Sequence, residues 1–211
     1  MIYRFTDRVT RFLFAFVALQ SLTLAPAQAE LKSLLANMES YSATFTQTIM
    51  SGRNEILQRS DGVIHIKRPS RFKWVVNEPY PQTLVTVADK LFLYDPDLEQ
   101  LSVEPLQKAI AGTPALILTG GVTDLSQMFE ISEFHDNEDR AYSLFPKADD
   151  ALFAQIRLRF DANAQLSHLE IEDHLGQLTQ IAFTEVVQNK AIADTEFTFD
   201  IPEGTEVIGE L

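Results

Sequence analysis

From Tyr41 onward the chain alternates apolar and polar residues in short runs separated by turn residues, and this rhythm limits what it can fold into. Tyr41, Ala43, Phe45 and Gln47 alternate with Ser42, Thr44, Thr46 and Thr48. Phe72, Trp74 and Val76 share one side of a run whose other side carries Arg71, Lys73, Val75 and Asn77. Ala154, Ile156, Leu158 and Phe160 oppose Gln155, Arg157 and Arg159. A period of two gives a strand one dry and one wet face, as in an antiparallel sheet. Further strands are expected at Val63 to Lys67, Gln82 to Val87, Leu91 to Tyr94, Leu98 to Val103, Met128 to Phe134, Ala141 to Phe145, Leu166 to Glu172, Leu178 to Val186 and Glu196 to Phe199. Asp61-Gly62, Ala88-Asp89-Lys90 and Asp95-Pro96-Asp97 are turn signals between them.

Helical spacing is confined to three places. Leu31, Leu34, Leu35 and Met38 fall at i, i+3, i+4 and i+7, one apolar stripe. Pro105 to Ala111 and Thr113 to Leu118 predict short helices, the second opened by an N-cap and a proline and stopped by Gly120-Gly121. With about eleven strands, short turns and no alternation of strand and helix, the expected fold is mainly β. A sheet of that length must curl or close. The expected architecture is an incomplete antiparallel β-barrel whose concave side is covered by a lid of short α-helices.

The N-terminus carries an address. Arg4, Arg8 and Arg11 precede an apolar run from Phe12 to Leu24, then Pro26 and the cleavage pattern Ala27-Gln28-Ala29. These are the regions of a secretory signal peptide. Residues 1–29 are therefore expected to be removed, leaving one domain over 30–211. The chain has no cysteine, so an exported form must rest on its core rather than on disulfides. Its formal net charge is −13, and removal of a leader carrying three Arg and Asp7 takes it to about −15. That charge argues against nucleic acid and anionic membrane surfaces as partners and permits docking on basic ones.

Catalytic chemistry is hard to find. Thiol catalysis and thiolate metal sites are excluded by composition. His168, Glu170 and Glu172 share a strand face and offer metal-ligand types, but charged groups on a wet strand face are far commoner than a metal site. Gly120-Gly121 has no phosphate-loop continuation. No cofactor or metal is expected, and the chain does not read as an enzyme. The one unusual local feature is a cationic and aromatic stretch from Lys67 to Trp74.

That stretch, with Phe45-Thr46-Gln47, Leu91 to Pro96, Glu99-Gln100, Thr113-Pro114, Phe145 to Lys147, Asp173 to Gln177, and Phe197-Thr198-Phe199 with Pro202 and Gly204, resembles the LolA family, periplasmic carriers of lipoproteins in Gram-negative bacteria. The order and spacing of these pieces carry the resemblance. One turn departs from it: Ala88-Asp89-Lys90 stands where the family usually has Asp-Gly-Lys. The resemblance implies a half-open barrel that binds acyl chains of lipoproteins. The implied partners are acylated lipoproteins, an inner-membrane lipoprotein-releasing transporter and an outer-membrane lipoprotein acceptor, with the carrier itself a monomer. It implies that Arg68 latches the lid by hydrogen bonds to carbonyls near Leu35, Leu118 and Thr119. Together with the alternation, it makes Phe72, Trp74, Val76, Leu84, Leu91, Leu93, Ile156, Leu158 and Phe160 the expected cavity or core lining. An envelope lipid-binding or stress-sensing domain of the same fold is the alternative.

The leader gives a direct expectation. N-terminal sequencing of the protein recovered from the envelope should begin at Glu30; retention of Met1 would refute cleavage.

Overall fold

The computed structural model describes residues 27–106, 118, 125–136 and 139–210. Residues 1–26 of the expected leader and most of the two short helices between Pro105 and Leu118 lie outside them, while Ala27, Gln28 and Ala29 open the first helix. Helix α1 spans Ala27–Ala36 and α2 spans Leu125–Met128. The strands are β1 (Ser40–Met50), β2 (Ile56–Lys67), β3 (Arg71–Glu78), β4 (Gln82–Val87), β5 (Lys90–Asp95), β6 (Gln100–Pro105), β7 (Phe129–Asp136), β8 (Asp139–Pro146), β9 (Gln155–Phe160), β10 (Leu166–Glu172), β11 (Leu178–Gln188) and β12 (Glu206–Gly209). They form one sheet in the order β12-β6-β5-β4-β3-β2-β1-β11-β10-β9-β8-β7. The fold is mainly β and the sheet is not closed, since β12 and β7 stand at its two ends.

The order has a physical consequence for what covers the sheet. β1 sits in the interior. The meander β2 to β6 runs out to one side of it, and β7 begins at the opposite edge, from which β8 to β11 return to pair with β1. The chain must therefore cross the whole sheet between Pro105 and Phe129. Leu118 and Leu125, both on that crossing, are buried with Leu31, Leu34, Leu35 and Met38 in the main core. At Leu118 and Leu125 the chain thus lies on the face that α1 covers. The same cluster holds Phe72 of β3 and Leu144 of β8, which lie six strands apart. In a flat sheet they would be about 29 Å apart at roughly 4.8 Å per strand, so their shared core requires the sheet to curl. Register shifts between Ser42 and Thr44, where β1 meets β11, and between Asp61 and Gly62, where β2 meets β3, mark bulges of the kind that bend strands.

The expected sheet of about eleven strands is met by twelve among the described residues, of which the last, β12, pairs in parallel with β6 because the C-terminal segment wraps back along that edge. Three local expectations are corrected. Glu196 to Phe199 is not a strand: Asp194–Phe197 is a 3₁₀ turn, which inserts Phe197 into a buried site. Asp61-Gly62 is not a turn but lies within β2, which begins at Ile56. Glycine serves there as a gap, because an added Cβ would strike the Val75 carbonyl oxygen and lie 2.7 Å from the Phe45 ring. Leu98 belongs to the exposed turn before β6, not to the strand itself.

The other sheet face carries a second, smaller core. Val85, Phe92, Leu101 and Val103 pack there against Tyr94, Val207 and Phe199. Phe199 meets Tyr94 at 5.3 Å and Phe92 at 6.3 Å between ring centres. Lys67 reaches the Ile192 carbonyl at 2.9 Å and Asp194 at 2.6 Å, and Arg71 also pairs with Asp194. The C-terminal segment is thus a strap across the outer face.

Two substitutions should move stability in opposite directions. Gly62→Ala should cost about 2–3 kcal/mol in chemical denaturation, because the new methyl must displace backbone and an aromatic ring. Ala88 has φ +54° in the turn before β5, where L residues carry strain. Ala88→Gly should therefore raise unfolding free energy by about 0.5–1 kcal/mol. A loss there, or no loss at Gly62, would contradict these backbone roles.

Candidate functional site: an apolar trough beneath a helical cover

Strand pairing places the expected lining residues on one sheet face. Ala43 pairs with Ile64, Ile64 with Trp74, Trp74 with Leu84 and Leu84 with Leu93, a continuous cross-strand row. Tyr41, Ile66 and Phe72 form the next row. On the other side of the centre, Leu158 pairs with Tyr142 and Leu169, and Ile156 with Leu144 and Ile171. Paired residues project to the same face, so these rows make the floor of a trough.

Seven of the expected residues meet in the main core. Phe72, Ile156, Leu158 and Phe160 are buried in it, and Trp74, Val76 and Leu84 pack against it. Leu91 and Leu93 share the face by pairing with Thr86 and Leu84 but stand outside that cluster; Leu91 is half-buried and Leu93 is 38% exposed. Sequence reasoning passed over Phe45 as a lining residue, although it continues the Tyr41-Ala43 alternation. Its ring stacks on Trp74 at 3.9 Å between centres. It also passed over Ile64 and Ile66, both fully buried, which lie in an apolar run without strict alternation. Phe72 is held at the backbone by Thr86, whose Oγ1 accepts the Phe72 N–H at 2.8 Å and donates to its carbonyl at 3.3 Å.

The cover is α1 with the crossing segment. Leu31, Leu34, Leu35 and Met38 turn the predicted stripe onto the floor, each less than a tenth exposed. Both ends of α1 are tied. In its first turn Glu30 pairs with Arg140 of β8 at 2.5 Å, where a carboxylate also suits the helix N-terminus. After its last turn, Asn189 donates to the Asn37 carbonyl at 2.8 Å and accepts from the Glu39 N–H at 2.9 Å. Two tyrosines flank the trough. Tyr41 donates to the Leu166 carbonyl at 2.7 Å, and burial, with a smaller contribution from Asp161, raises its pKa. Tyr142 is fully buried, makes no hydrogen bond through its hydroxyl among the described residues, and is pushed up to about 12, chiefly by burial and then by the charge of Glu30.

Arg68 sits at the end of the trough, in the β2–β3 turn. Its Nη2 donates to the Leu118 carbonyl at 3.4 Å. Its Nε is buried without a partner among the described residues, and burial pushes its pKa below the usual guanidinium value. The Leu35 carbonyl accepts the Met38 N–H rather than Arg68, and Thr119 lies outside the described residues. Among the described residues this half-buried cation is held to the cover by one long hydrogen bond, a charged contact whose loss would cost about 1.5–3 kcal/mol.

The opposite end of the same face is polar. A cavity of about 430 Å³ opens there, lined by Gln47, Gln58, Ser60, Val76, Tyr80, Gln82, Asp95, Asp97 and Leu98. Elsewhere, the carboxylates of Glu170 and Glu172 are engaged by Arg157, at 3.3 and 3.8 Å. No group of three or more potential metal ligands forms among the described residues. No helix among them is long and apolar enough to cross a membrane.

A family model described as outer membrane lipoprotein carrier protein LolA matches residues 36–200. The chain belongs to the LolA family. An outer-membrane lipoprotein carrier protein of Chromohalobacter salexigens is 42% identical over 180 residues, 85% of each chain. One from Pseudomonas fluorescens is 37% identical over 206 residues, 96% of this chain and all of that one. Among solved structures, an uncharacterized conserved protein from Thermus thermophilus shares the fold, with a TM-score of 0.56 at 12% identity over 85% of this chain and 97% of that one. The Lys67-Arg68-Pro69 stretch divides its contacts between the two sheet faces. Lys67 holds the C-terminal strap on the outside, and Arg68 turns toward the cover on the inside.

Proposed function

We infer that this chain is a periplasmic carrier: it takes lipoproteins released from the inner membrane, holds their acyl chains on the trough floor, and delivers them to an outer-membrane acceptor. Its implied partners are the inner-membrane lipoprotein-releasing transporter and that acceptor. It acts by binding and release, without an enzymatic step. Residues 1–29 direct export and are then removed, which leaves 30–211 as the carrier domain.

One observation carries the reading: an apolar sheet face is buried beneath a cover to which Arg68 reaches, donating to the Leu118 carbonyl at 3.4 Å. Acyl chains entering the trough take the place of α1 and Leu118 against the floor. Burial of hydrocarbon contributes about 0.8 kcal/mol per CH₂. Full burial of three long chains would total roughly 35 kcal/mol on that figure, beyond the practical affinity limit of about 20. A working carrier must therefore bury its cargo incompletely. Closure of the cover also opposes binding, since uptake displaces the cover and release lets it settle back onto the floor. Arg68 is the latch of the closed state, with Leu118 as its partner. Thr119 follows Leu118 in sequence, and Leu35 leaves the floor with α1.

A transfer assay tests this. The protein is loaded with a fluorescent acylated peptide, and movement to acceptor membranes is followed. Arg68→Leu should bind cargo roughly tenfold more tightly and release it correspondingly more slowly, because only the empty state loses a charged hydrogen bond. Phe72→Glu should abolish uptake by placing a charge among hydrocarbon. Wild-type transfer by a folded Arg68→Leu protein would eliminate the latch. Normal uptake by Phe72→Glu would remove Phe72 from the binding floor.

A further inference from the structure

The concave face changes chemistry along its length. Near Arg68 its floor is Ile66, Phe72 and Trp74. At the far end of the same strands, polar side chains take over the same face. Gln47 pairs with Ser60 and Ile49 with Gln58, so both amides face the trough. Gln82 follows Val76 by pairing across β3 and β4. The resulting cavity opens between the β3–β4 and β5–β6 turns, where Tyr80 and Leu98 stand exposed. A wholly apolar floor would hold hydrocarbon equally well to its end, so this polar end calls for a different occupant.

We propose that this cavity is a head-group subsite: it takes the uncharged amide and ester junction through which an acyl chain joins a polypeptide, and it disfavours anionic phosphate heads. The proposal rests on the carrier reading and adds to it the chemistry by which cargo is told from membrane lipid. Cargo of this kind cannot enter the trough whole, because its polypeptide must emerge into solvent. Somewhere hydrocarbon must give way to amides within one binding site. Here the apolar floor at Val76 runs directly into side-chain amides, which both donate and accept hydrogen bonds and so match peptide groups. Gln47 donates to Ser60 at 3.3 Å and Gln82 to Asp95 at 3.2 Å, so both are pre-oriented. The Gln58 side chain makes no hydrogen bond among the described residues and is available to a ligand. No cation lines the cavity, whereas Asp95 and Asp97 do. A phosphate placed there would lose its hydration and face two carboxylates with no charged partner.

The test uses the purified exported protein and three probes in one neutral detergent: an N-palmitoyl, S-dipalmitoylglyceryl-cysteinyl peptide with an uncharged sequence and an amidated C-terminus, dipalmitoyl phosphatidylglycerol, and palmitic acid. Wild type should prefer the lipopeptide to phosphatidylglycerol by at least tenfold. Gln58→Leu combined with Gln82→Leu should lose about tenfold in lipopeptide affinity while palmitate binding stays unchanged, which also reports an intact trough. Asp97→Lys, at an exposed turn position, should raise phosphatidylglycerol affinity severalfold. Unchanged lipopeptide binding by a double variant that still binds palmitate would overturn the subsite and leave the carrier intact. So would indifference of phosphatidylglycerol to Asp97→Lys. Should wild type bind no lipopeptide at all, the carrier reading itself fails and this inference with it.

Discussion

An open sheet whose inner face is apolar over most of its length must have that part covered, and the cover here is supplied by segments that do not pair with the strands. Leu31, Leu34, Leu35 and Met38 of α1, with Leu118 and Leu125 of the crossing segment, are buried against the floor. Among the described residues their ties include Glu30 to Arg140, Asn189 to the turn after α1, Lys147 to the Ser126 carbonyl and Arg68 to Leu118. Burial of apolar surface, which is non-directional, supplies most of the attraction. Such packing can be exchanged for packing with another hydrocarbon at small net change. Sheet hydrogen bonds cannot, so the strands stay while the cover is free to be replaced.

Polarity is distributed along the strands rather than across them. Arg68, half-buried and with its Nε unpartnered among the described residues, stands at one end of the trough. Glutamines, a serine and two aspartates stand at the other. The outer face is kept separate, with its own small core under Phe199 and its own ion pairs through Lys67, Arg71 and Asp194. Side chains only a residue or two apart in sequence, such as Lys67 and Arg68, therefore serve opposite faces. The strap can hold the edge strands in shape while the inner face changes its contents.

Much of this was legible in the chain itself. Strict alternation at Phe72-Trp74-Val76 and Ile156-Leu158-Phe160 marked the inner face, and the i, i+3, i+4, i+7 spacing of Leu31 to Met38 marked α1. Failures came where one residue type has two uses. Gly62 resembled a turn glycine but instead makes room for the Phe45 ring. Phe197 and Phe199 looked like strand residues, yet a 3₁₀ turn and the outer core use them separately. Ile64 and Ile66 lie in a run where apolar residues also point outward, so periodicity could not sort them. The polar cavity escaped because Gln47, Gln58, Ser60 and Gln82 come from three strands, and only pairing register brings them together. Likewise, nothing local in Leu91 or Leu93 reveals that they lie beyond the main cluster.

The interior position of β1 also governs how such a chain can reach its folded form. β1 is the first strand made, and its partner on one side, β2, follows at once. Its other partner is β11: Thr44 bonds Thr184 across an interval of 140 residues. Until that distant segment arrives, β1 presents a bare row of backbone donors and acceptors and half of the apolar floor has no counterpart. Pairings between such remote segments slow folding, because loop-closure entropy is lost before any contact compensates for it. They also leave an exposed strand edge that can pair with other chains. The contiguous unit from β1 to β6 can form early as a meander, but closure of the curved sheet waits for almost the last strand of the chain. A truncation that removed β11 would therefore leave the first half with an open edge at its centre of curvature, prone to self-association.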